Sequence, residues 1–169
     1  MNLNERLKKI KLLATDFDGV MTDACVYIGE DGKESVRCSR RDGLGVEMLK
    51  NAGIEIIVLS KEPNSVVIAR CKKLGIACTN NINDSSGKLA ILKEIIKEKN
   101  IDLSEVAYIG DDLNDRAVLE NAGVAITVAD GHKKIKSLCD FITKAKGGDH
   151  AFREVCEKIL EAKGIALDF

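Results

Sequence analysis

The sequence feature that decides the fold is Asp16-Phe17-Asp18-Gly19-Val20-Met21-Thr22, which follows the apolar run Leu12-Leu13-Ala14. Two carboxylates two residues apart, where a buried strand opens into a loop, resist ionising together. Such a pair needs a cation, a shared proton or both. The glycine that follows suits a sharp backbone turn near a ligand. The stretch therefore predicts a polar site at the carboxyl end of a strand.

Three further polar segments stand at comparable places downstream. Ser60 ends the apolar run 54–59, Lys88 opens an amphipathic helix, and Gly110-Asp111-Asp112-Leu113-Asn114-Asp115 closes another apolar run. Strand and helix patterns alternate along the chain, which is typical of a parallel sheet covered by helices on both faces. Ligands of such sheets bind beyond the carboxyl ends of the strands, so we expect these segments to meet there.

The periodicity predicts an α/β fold with strands near 11–16, 54–60, 76–79, 106–110, 124–128 and 141–142. Helices are predicted near 41–51, 63–74, 86–99, 112–122, 135–138 and 151–162, with Pro63 in the first turn of the second helix. Glycine-bearing turns between short β-prone runs predict a β-hairpin over about 24–39. The interval 60–88 is filled by one helix and one strand, which leaves no room for a cap domain.

Bulk properties narrow the class of protein. The 169 residues fit a single domain, 1–169, and 26 Lys and Arg against 27 Asp and Glu give no basic bias that would suggest nucleic acid. No apolar stretch approaches the ~20 residues that span a bilayer, and the first residues lack the apolar core of a signal peptide. We therefore expect a cytoplasmic protein with no membrane partner. None of the six cysteines forms a CxxC pair, which favours reduced, structural thiols.

The ordered set DxDGxxT, Ser, Lys and GDDxND resembles the haloacid dehalogenase (HAD) superfamily of aspartate-nucleophile phosphatases. The blocks 41–46, 106–115 and 147–154 are similar to the 3-deoxy-D-manno-octulosonate 8-phosphate phosphatases. Relatives in that family act on nine-carbon 2-keto-3-deoxy sugar acid phosphates or form the carboxyl-terminal domain of acylneuraminate cytidylyltransferases. The resemblance implies a capless, HAD-type Rossmann-like doubly wound sheet and a phosphatase of such a sugar acid phosphate. The pathway, whether lipopolysaccharide, capsule or a sialic-acid-like sugar, stays open.

The resemblance also implies catalytic roles for four residues. Asp16 is expected to attack phosphorus and form an aspartyl-phosphate, and Asp18 to act as general acid and then as general base. Asp18 then needs a raised pKa, which burial beside other carboxylates can provide. Ser60 is expected to donate its hydroxyl to a phosphoryl oxygen, and Lys88 to neutralise charge in the transition state.

A carboxylate that attacks a phosphate brings negative charges together, so Mg²⁺ is the expected cofactor. Asp16, the backbone carbonyl of Asp18, and Asp111 are the expected ligands. Asp112 and Asp115 are expected to bind ligand waters or to orient Lys88. The pair Gly43 and Gly45 lacks the third glycine of a dinucleotide fingerprint, which argues against a nucleotide cofactor.

Substrate residues are predicted from the chemistry of a polyhydroxylated keto acid. Its carboxylate needs cationic partners, and the candidates are Arg40, Arg70 and Lys73, some reaching from a neighbouring subunit. Glu62 stands where the octulosonate enzymes usually have the arginine of Thr-Gly-Arg, and it could accept sugar hydroxyls. Glu62 and Lys73 look more like the nine-carbon branch. The alternative for each of the three cations is a solvated helix-surface charge.

The tail 147–151 resembles the family's Gly-Gly-x-Gly-Ala, which closes over the substrate in relatives. Gly148 belongs to this segment, and His150 replaces its last glycine. His150 could contact sugar or simply tolerate the turn.

The family is tetrameric, with hairpins assembled at the centre and neighbouring subunits lining each active site. A homotetramer is therefore implied. The alternatives are a phosphatase of other small sugar phosphates, a phosphoglycosyl mutase, or a module that mainly serves oligomerisation beside a cytidylyltransferase. A phosphoacceptor signalling domain fits less well, because such domains place a lone acceptor aspartate on a middle strand.

Overall fold

The structure, a computed structural model, describes residues 1–167 and contains one central parallel sheet. Its strands run in the order β5-β4-β1-β6-β7-β8. A separate antiparallel pair, β2 and β3, forms the predicted hairpin. The strand bounds are β1 Leu12–Thr15, β2 Tyr27–Ile28, β3 Glu34–Ser35, β4 Glu55–Leu59, β5 Ala77–Thr79, β6 Val106–Ile109, β7 Val124–Thr127 and β8 Phe141–Ile142. The predicted doubly wound parallel sheet is confirmed.

Helices cover both faces of this sheet, because alternate side chains of its buried strands point to opposite sides. Leu13 joins the core beneath α1, α2, α3 and α7, whereas its neighbours Leu12 and Ala14 join the core beneath α4 and α5. The helix bounds are α1 Leu3–Lys8, α2 Arg40–Asn51, α3 Ser65–Leu74, α4 Ser85–Glu98, α5 Arg116–Leu119, α6 Lys133–Lys136 and α7 Ala151–Ala162.

The register of the sheet brings the polar segments to one edge. Thr15, the last residue of β1, pairs with Val58 of β4 and with Ile109 of β6. The residues after these three strands therefore leave the sheet side by side. This edge receives Asp16, Ser60 and Asp111, as the sequence predicts.

The hairpin projects from the loop after β1 and exposes Val26, Tyr27 and Ile28 to solvent. Between Ser60 and Lys88 the chain forms only α3 and β5, so the prediction of a capless fold is confirmed. Within residues 1–167, no helix is both long and apolar enough to cross a membrane. The single-domain prediction for residues 1–169 also includes Asp168 and Phe169, which lie outside the described residues.

Two helix predictions need correction. The helix predicted to begin at Pro63 begins at Ser65, because Asn64 is still in extended conformation at the N-cap. The helix predicted over 112–122 is instead a 3₁₀ turn, Leu113–Asp115, followed by the single-turn α5. The Asp112 carboxylate accepts the Leu113 N–H, and the Asp115 carboxylate accepts from Lys88. These two side-chain contacts set the tighter 3₁₀ conformation of this turn.

Candidate active site

Asp16 leaves β1 at the centre of the sheet, with its backbone N–H still donating to the carbonyl of Ile109 at 2.9 Å. Its Oδ1 accepts the N–H of Phe17 at 2.7 Å. Its Oδ2 lies 2.7 Å from Lys88 Nζ and accepts from the Asn114 amide at 3.4 Å. The carboxylate is thus held in one orientation by donors from three parts of the chain.

Lys88 lies in the first turn of α4 and is completely buried. Its ammonium is 2.7 Å from Asp16 Oδ2 and 2.7 Å from Asp115 Oδ1. Burial of an unpaired ammonium is strongly unfavourable, whereas two carboxylates with good geometry compensate for it. The predicted nucleophile and the predicted cation are therefore in direct contact.

Asp115 is the most completely hydrogen-bonded carboxylate of the cluster. Its Oδ1 accepts from Lys88 and, at 2.6 Å, from the hydroxyl of Tyr108. Its Oδ2 accepts the backbone N–H groups of Asp111 at 3.0 Å and Asp112 at 3.4 Å. Sequence reasoning missed Tyr108, because an aromatic residue within a buried apolar strand is typical of the core. The geometry makes Asp115 a residue that positions Lys88.

Burial governs the protonation behaviour of the cluster. It raises the pKa of Asp16 well above the ordinary value, and the nearby charge of Asp115 adds to the effect while Lys88 opposes it. Burial, followed by the charges of Asp115 and Asp112, raises the pKa of Asp111 to about 7. Burial alone would lower the pKa of Lys88, but Asp16 and Asp115 reverse this and raise it. Asp16 and Asp111 therefore hold a proton more readily than exposed carboxylates do, whereas Lys88 keeps its charge.

Carboxylate oxygens of Asp16, Asp111 and Asp115 lie within 4.8 Å of one another. Oxygen donors of this kind are those that Mg²⁺ prefers, and a cation here would offset the neighbouring negative charges that add to burial in raising the pKa of Asp111. These residues therefore fit a hard divalent cation. Asp112, which sequence reasoning placed among the metal residues, is exposed and uses its side chain to accept the Leu113 N–H at 2.7 Å.

Asp18 lies beside the cluster in the loop after β1. Its Oδ1 accepts from the Thr22 hydroxyl at 3.3 Å, and its buried Oδ2 has no donor among the residues that the structure describes. Burial raises the pKa of Asp18, and the charges of Glu62 and Glu34 add to this effect. A raised pKa is what the predicted general acid requires.

Glycines allow close approach at this loop. Gly19 has a φ of +78°, and a Cβ there would overlap the Asp111 carboxylate. On the opposite side, the tail residues Gly147 and Gly148 pack against the backbone of residues 19–23, and the Gly148 N–H donates to the carbonyl of Val20 at 3.0 Å. Within this chain, Gly148 therefore supports the loop that carries Asp18.

A small pocket of about 170 Å³ opens above the cluster. Sequence reasoning placed Asp16, Asp18, Glu62, Asp111 and Asp112 at the site, and all five line this pocket. Its other lining residues, Ala24, Lys61 and Asn114, were not singled out. Ser60 is buried at the end of β4, where its Oγ accepts the N–H of Glu62 at 3.2 Å.

The remaining predicted substrate residues lie away from this pocket in the described part of the chain. Arg70 donates to the carbonyl of Ser39 at 2.7 Å, and Arg40 is exposed in the first turn of α2. Lys73 borders a groove with Lys50 and Asn51 near the carboxyl ends of α2 and α3. The structure does not bring these cations to the Asp16 cluster of their own chain.

His150 precedes α7 in a left-handed conformation, with a φ of +62°. Its side chain lines a cleft of about 610 Å³ between α2 and α7, and its Nδ1 lies 3.2 Å from Asp149 Oδ1. This cleft and the Asp16 pocket share no lining residue. Any sugar contact by His150 stays a prediction.

Comparison with known proteins places this geometry in a family. A family of haloacid dehalogenase-like hydrolases matches residues 58–150. The 3-deoxy-D-manno-octulosonate 8-phosphate phosphatase of Escherichia coli K12 is 35% identical over 94% of this chain and 84% of its own length.

Two solved structures are similar over nearly the whole chain. The Moraxella catarrhalis 3-deoxy-D-manno-octulosonate 8-phosphate phosphatase, in complex with magnesium, phosphate and KDO, superposes with a TM-score of 0.91 at 37% identity, covering 95% of this chain and 91% of that one. The cobalt-bound Haemophilus influenzae phosphatase superposes with a TM-score of 0.87 at 32% identity, covering 94% of this chain and 92% of that one. The chain therefore belongs to the 3-deoxy-D-manno-octulosonate 8-phosphate phosphatase family of the haloacid dehalogenase-like hydrolases.

Proposed function

We propose that this protein is a Mg²⁺-dependent phosphatase that hydrolyses the phosphate monoester of a 2-keto-3-deoxy sugar acid. The observation that carries the proposal is Lys88, buried and held 2.7 Å from both Asp16 and Asp115. A buried ammonium in contact with a nucleophilic carboxylate is suited to an anionic transition state. The substrate class is supported by the names of the similar phosphatases.

The two candidate substrates differ in chain length. The relatives' names favour 3-deoxy-D-manno-octulosonate 8-phosphate. Glu62, in place of the usual arginine, favours the nine-carbon acid 9-phosphates. Glu62 lines the pocket beside Asp18, where a carboxylate could accept sugar hydroxyls.

Asp16 attacks phosphorus through its carboxylate and forms an aspartyl-phosphate. Its backbone and side-chain hydrogen bonds hold the carboxylate in place before the substrate arrives, which lowers the entropic cost of reaching the transition state. Lys88 neutralises charge that develops on the phosphoryl oxygens, and Ser60 donates its hydroxyl to one of them. Asp115 and Tyr108 keep Lys88 in position.

Asp18 transfers the protons of the reaction. Its raised pKa keeps a proton available for the leaving alkoxide. After this transfer, the Asp18 carboxylate takes a proton from the water that hydrolyses the aspartyl-phosphate. Thr22 accepts the N–H groups of Gly19 and Ala24 and holds the Asp18 carboxylate, so it orders the loop.

Asp16 and Asp111, with the backbone carbonyl of Asp18, would hold the Mg²⁺. The bound ion offsets the negative charge shared by the carboxylates and the phosphate. Asp112 and Asp115 belong to the same acidic group, with Asp115 acting mainly on Lys88.

We assign the enclosure of the substrate to a homotetramer in the cytoplasm. The pocket is open, and phosphoryl transfer benefits from a site that excludes water. The exposed apolar residues of the hairpin would pack against neighbouring copies. Arg40, Arg70, Lys73, Gly148 and His150 would then contribute to substrate binding across or near subunit boundaries.

Phosphate release from a panel of substrates tests the function. The panel contains 3-deoxy-D-manno-octulosonate 8-phosphate, nine-carbon 2-keto-3-deoxy acid 9-phosphates and hexose phosphates, each with Mg²⁺ and with a chelator. We expect Mg²⁺-dependent release from the sugar acid phosphates that disappears in Asp16→Asn and persists in the control Glu94→Gln on the exposed face of α4. Preferential hydrolysis of hexose phosphates would contradict the proposed substrate class.

A further inference from the structure

The pocket above Asp16 has an unusual balance of charge for a site that takes a polyanion. Five of its eight lining residues are acidic: Asp16, Asp18, Glu62, Asp111 and Asp112. Among those eight residues, Lys61 is the one cation. Lys88 lies beneath the pocket, where both its carboxylate partners are already in contact with it. An anionic group at the rim of this pocket therefore has Lys61 as its nearest lining cation.

The backbone around Lys61 is fixed on both sides. The Ser60 N–H donates to the carbonyl of Thr79 at 2.9 Å, and the Glu62 N–H donates to Ser60 Oγ at 3.2 Å. The Ile82 N–H also donates to the carbonyl of Ser60 at 3.2 Å. Lys61 therefore starts from a defined point at the end of β4.

The Lys61 side chain has no bonded partner in the described part of the chain. Lys61 is exposed, and no ion pair or side-chain hydrogen bond involves its ammonium in the described residues. The absence of a pair is notable because Glu62 and Asp18 line the same pocket. A flexible, uncommitted lysine on a fixed backbone can reach toward a ligand without breaking an existing contact.

The size of the pocket separates the two ends of the substrate. At about 170 Å³ it is smaller than the roughly 300–1,000 Å³ of pockets that enclose a whole ligand. The phosphoryl end must enter, since it has to reach Asp16, and the rest of the sugar acid extends along the rim. The rim is where Lys61 and Glu62 lie.

Building on the proposed function, we propose that Lys61 is a specificity residue that binds the carboxylate of the sugar acid at the rim of the pocket. Glu62 beside it accepts hydrogen bonds from hydroxyls of the same substrate. Lys61 therefore binds the anionic group of the sugar acid, and Glu62 binds its neutral groups. The interaction is a property of this chain's own Ser60-Lys61-Glu62 sequence.

The test compares Lys61→Gln with the wild type on substrates that share the phosphate but differ in the carboxylate. One arm uses the sugar acid phosphates, and the other uses an aryl phosphate without a carboxylate. We expect Lys61→Gln to lower kcat/KM for the sugar acid phosphates roughly tenfold, mainly through KM, because a charge-assisted hydrogen bond is lost. Hydrolysis of the aryl phosphate, which has no carboxylate, should fall much less than hydrolysis of the sugar acid phosphates.

Two further variants complete the design. Lys61→Arg keeps a cation at this point and should restore most of the loss. Lys93→Gln removes the same charge from the exposed face of α4 and should behave as wild type. Equal losses on both substrate types would overturn the carboxylate assignment and place Lys61 at the phosphate, and no loss on either would overturn any role in binding. A wild-type enzyme that hydrolyses the aryl phosphate but no sugar acid phosphate would instead overturn the proposed function itself.

Discussion

The Asp16 cluster and the β2–β3 hairpin reverse the usual distribution of side chains in a protein. The side chains of Lys88, Asp16 and Asp115 are at most 5% exposed, although charged groups normally stay in water. Tyr27 and Ile28 of the hairpin are 67% and 69% exposed, although large apolar groups normally lie inside. The comparison teaches that the chain buries its cluster of charged side chains and leaves the apolar side chains of its hairpin exposed to solvent.

Removing the central cation should have the largest effect. Lys88→Met leaves Asp16 and Asp115 buried without their shared ammonium, so we expect a loss of about 3–5 kcal/mol in the free energy of unfolding. The same change should lower kcat by roughly 10²–10³-fold through lost charge stabilisation. Urea unfolding and phosphate release measure the two effects. Lys93→Met, on the exposed face of the same helix, is the control, and comparable losses in both variants would argue against a special role for the cluster.

Asp42, a buried carboxylate outside the cluster, tests whether hydrogen-bond donors are what stabilise the buried charges of the cluster. Asp42 in α2 accepts the Arg153 N–H through Oδ1 at 3.1 Å, but its buried Oδ2 has no donor within residues 1–167. Burial raises the pKa of Asp42 from 3.8 to about 6. Between these values the unfolded chain has lost this proton while the folded protein retains it. The contribution of Asp42 to the free energy of unfolding is therefore fully present below pH 3.8 and is lost as the pH rises to about 6.

The variant Asp42→Asn should remove this pH dependence. From the acidic end of the window to above pH 6, the wild type should lose about 2–3 kcal/mol of unfolding free energy relative to Asp42→Asn. Urea unfolding of both proteins at the two ends of the window measures the difference, and other titrating groups cancel in it. A constant difference at all pH values would show that Asp42 ionises normally in the folded protein.

Tyr108 offers a smaller and more selective change within the cluster. Tyr108→Phe keeps the ring in the core and removes only the hydroxyl that donates to Asp115 Oδ1. We expect a loss of about 1.5–3 kcal/mol in stability, because a hydrogen bond to a buried carboxylate is lost. We also expect kcat to fall while KM is unchanged, since Tyr108 lies below the pocket. The chain's other tyrosine, Tyr27, is exposed, and Tyr27→Phe is the matched control.

Coupling between Tyr108 and Asp115 gives a direct check on that explanation. If Tyr108 acts through Asp115, its replacement should have little further effect on kcat in an Asp115→Asn background. Additive effects of the two substitutions would indicate that Tyr108 acts by another route.

The hairpin should show the smallest effect on folding. Replacing Tyr27 and Ile28 together by serine should change the unfolding free energy of a monomer by no more than about 0.5 kcal/mol, because both side chains are exposed. Assembly should nevertheless be weakened, which sedimentation velocity would detect as a smaller species with reduced activity. Ile68→Ser, at an exposed position on α3, is the control. An unchanged sedimentation coefficient would contradict the role assigned to the hairpin.

The positions of the strands along the chain, and the edge of the sheet that carries the site, could be predicted from sequence. Apolar runs that end in Asp16, Ser60 and Asp111 specify parallel strands whose polar ends meet, and the register confirms this placement. The contact between Lys88 and Asp16 was harder to predict from sequence, because it depends on how α4 packs against the sheet. The position of Lys88 in the first turn of α4, at the same edge, explains why the ordered motifs were informative.

Other features depend on side-chain direction, which the sequence does not specify. Tyr108 lies in the buried strand β6, and only the structure reveals that its hydroxyl meets Asp115. Lys73 lies eight residues beyond Ser65 in α3, roughly 12 Å along a helix that leads away from the catalytic edge. Lys61 was overlooked because an exposed lysine near a strand end has no distinctive pattern.

The central claim is that Asp16 is the nucleophile of a phosphoryl-transfer reaction supported by the buried Lys88. Acid quenching during turnover, followed by peptide mass spectrometry, tests it most directly. We predict a phosphoryl group on the peptide that contains Asp16 in the wild type, with no label in Asp16→Asn. A phosphoryl group on a different residue, or phosphate release by Asp16→Asn at the wild-type rate, would contradict the account.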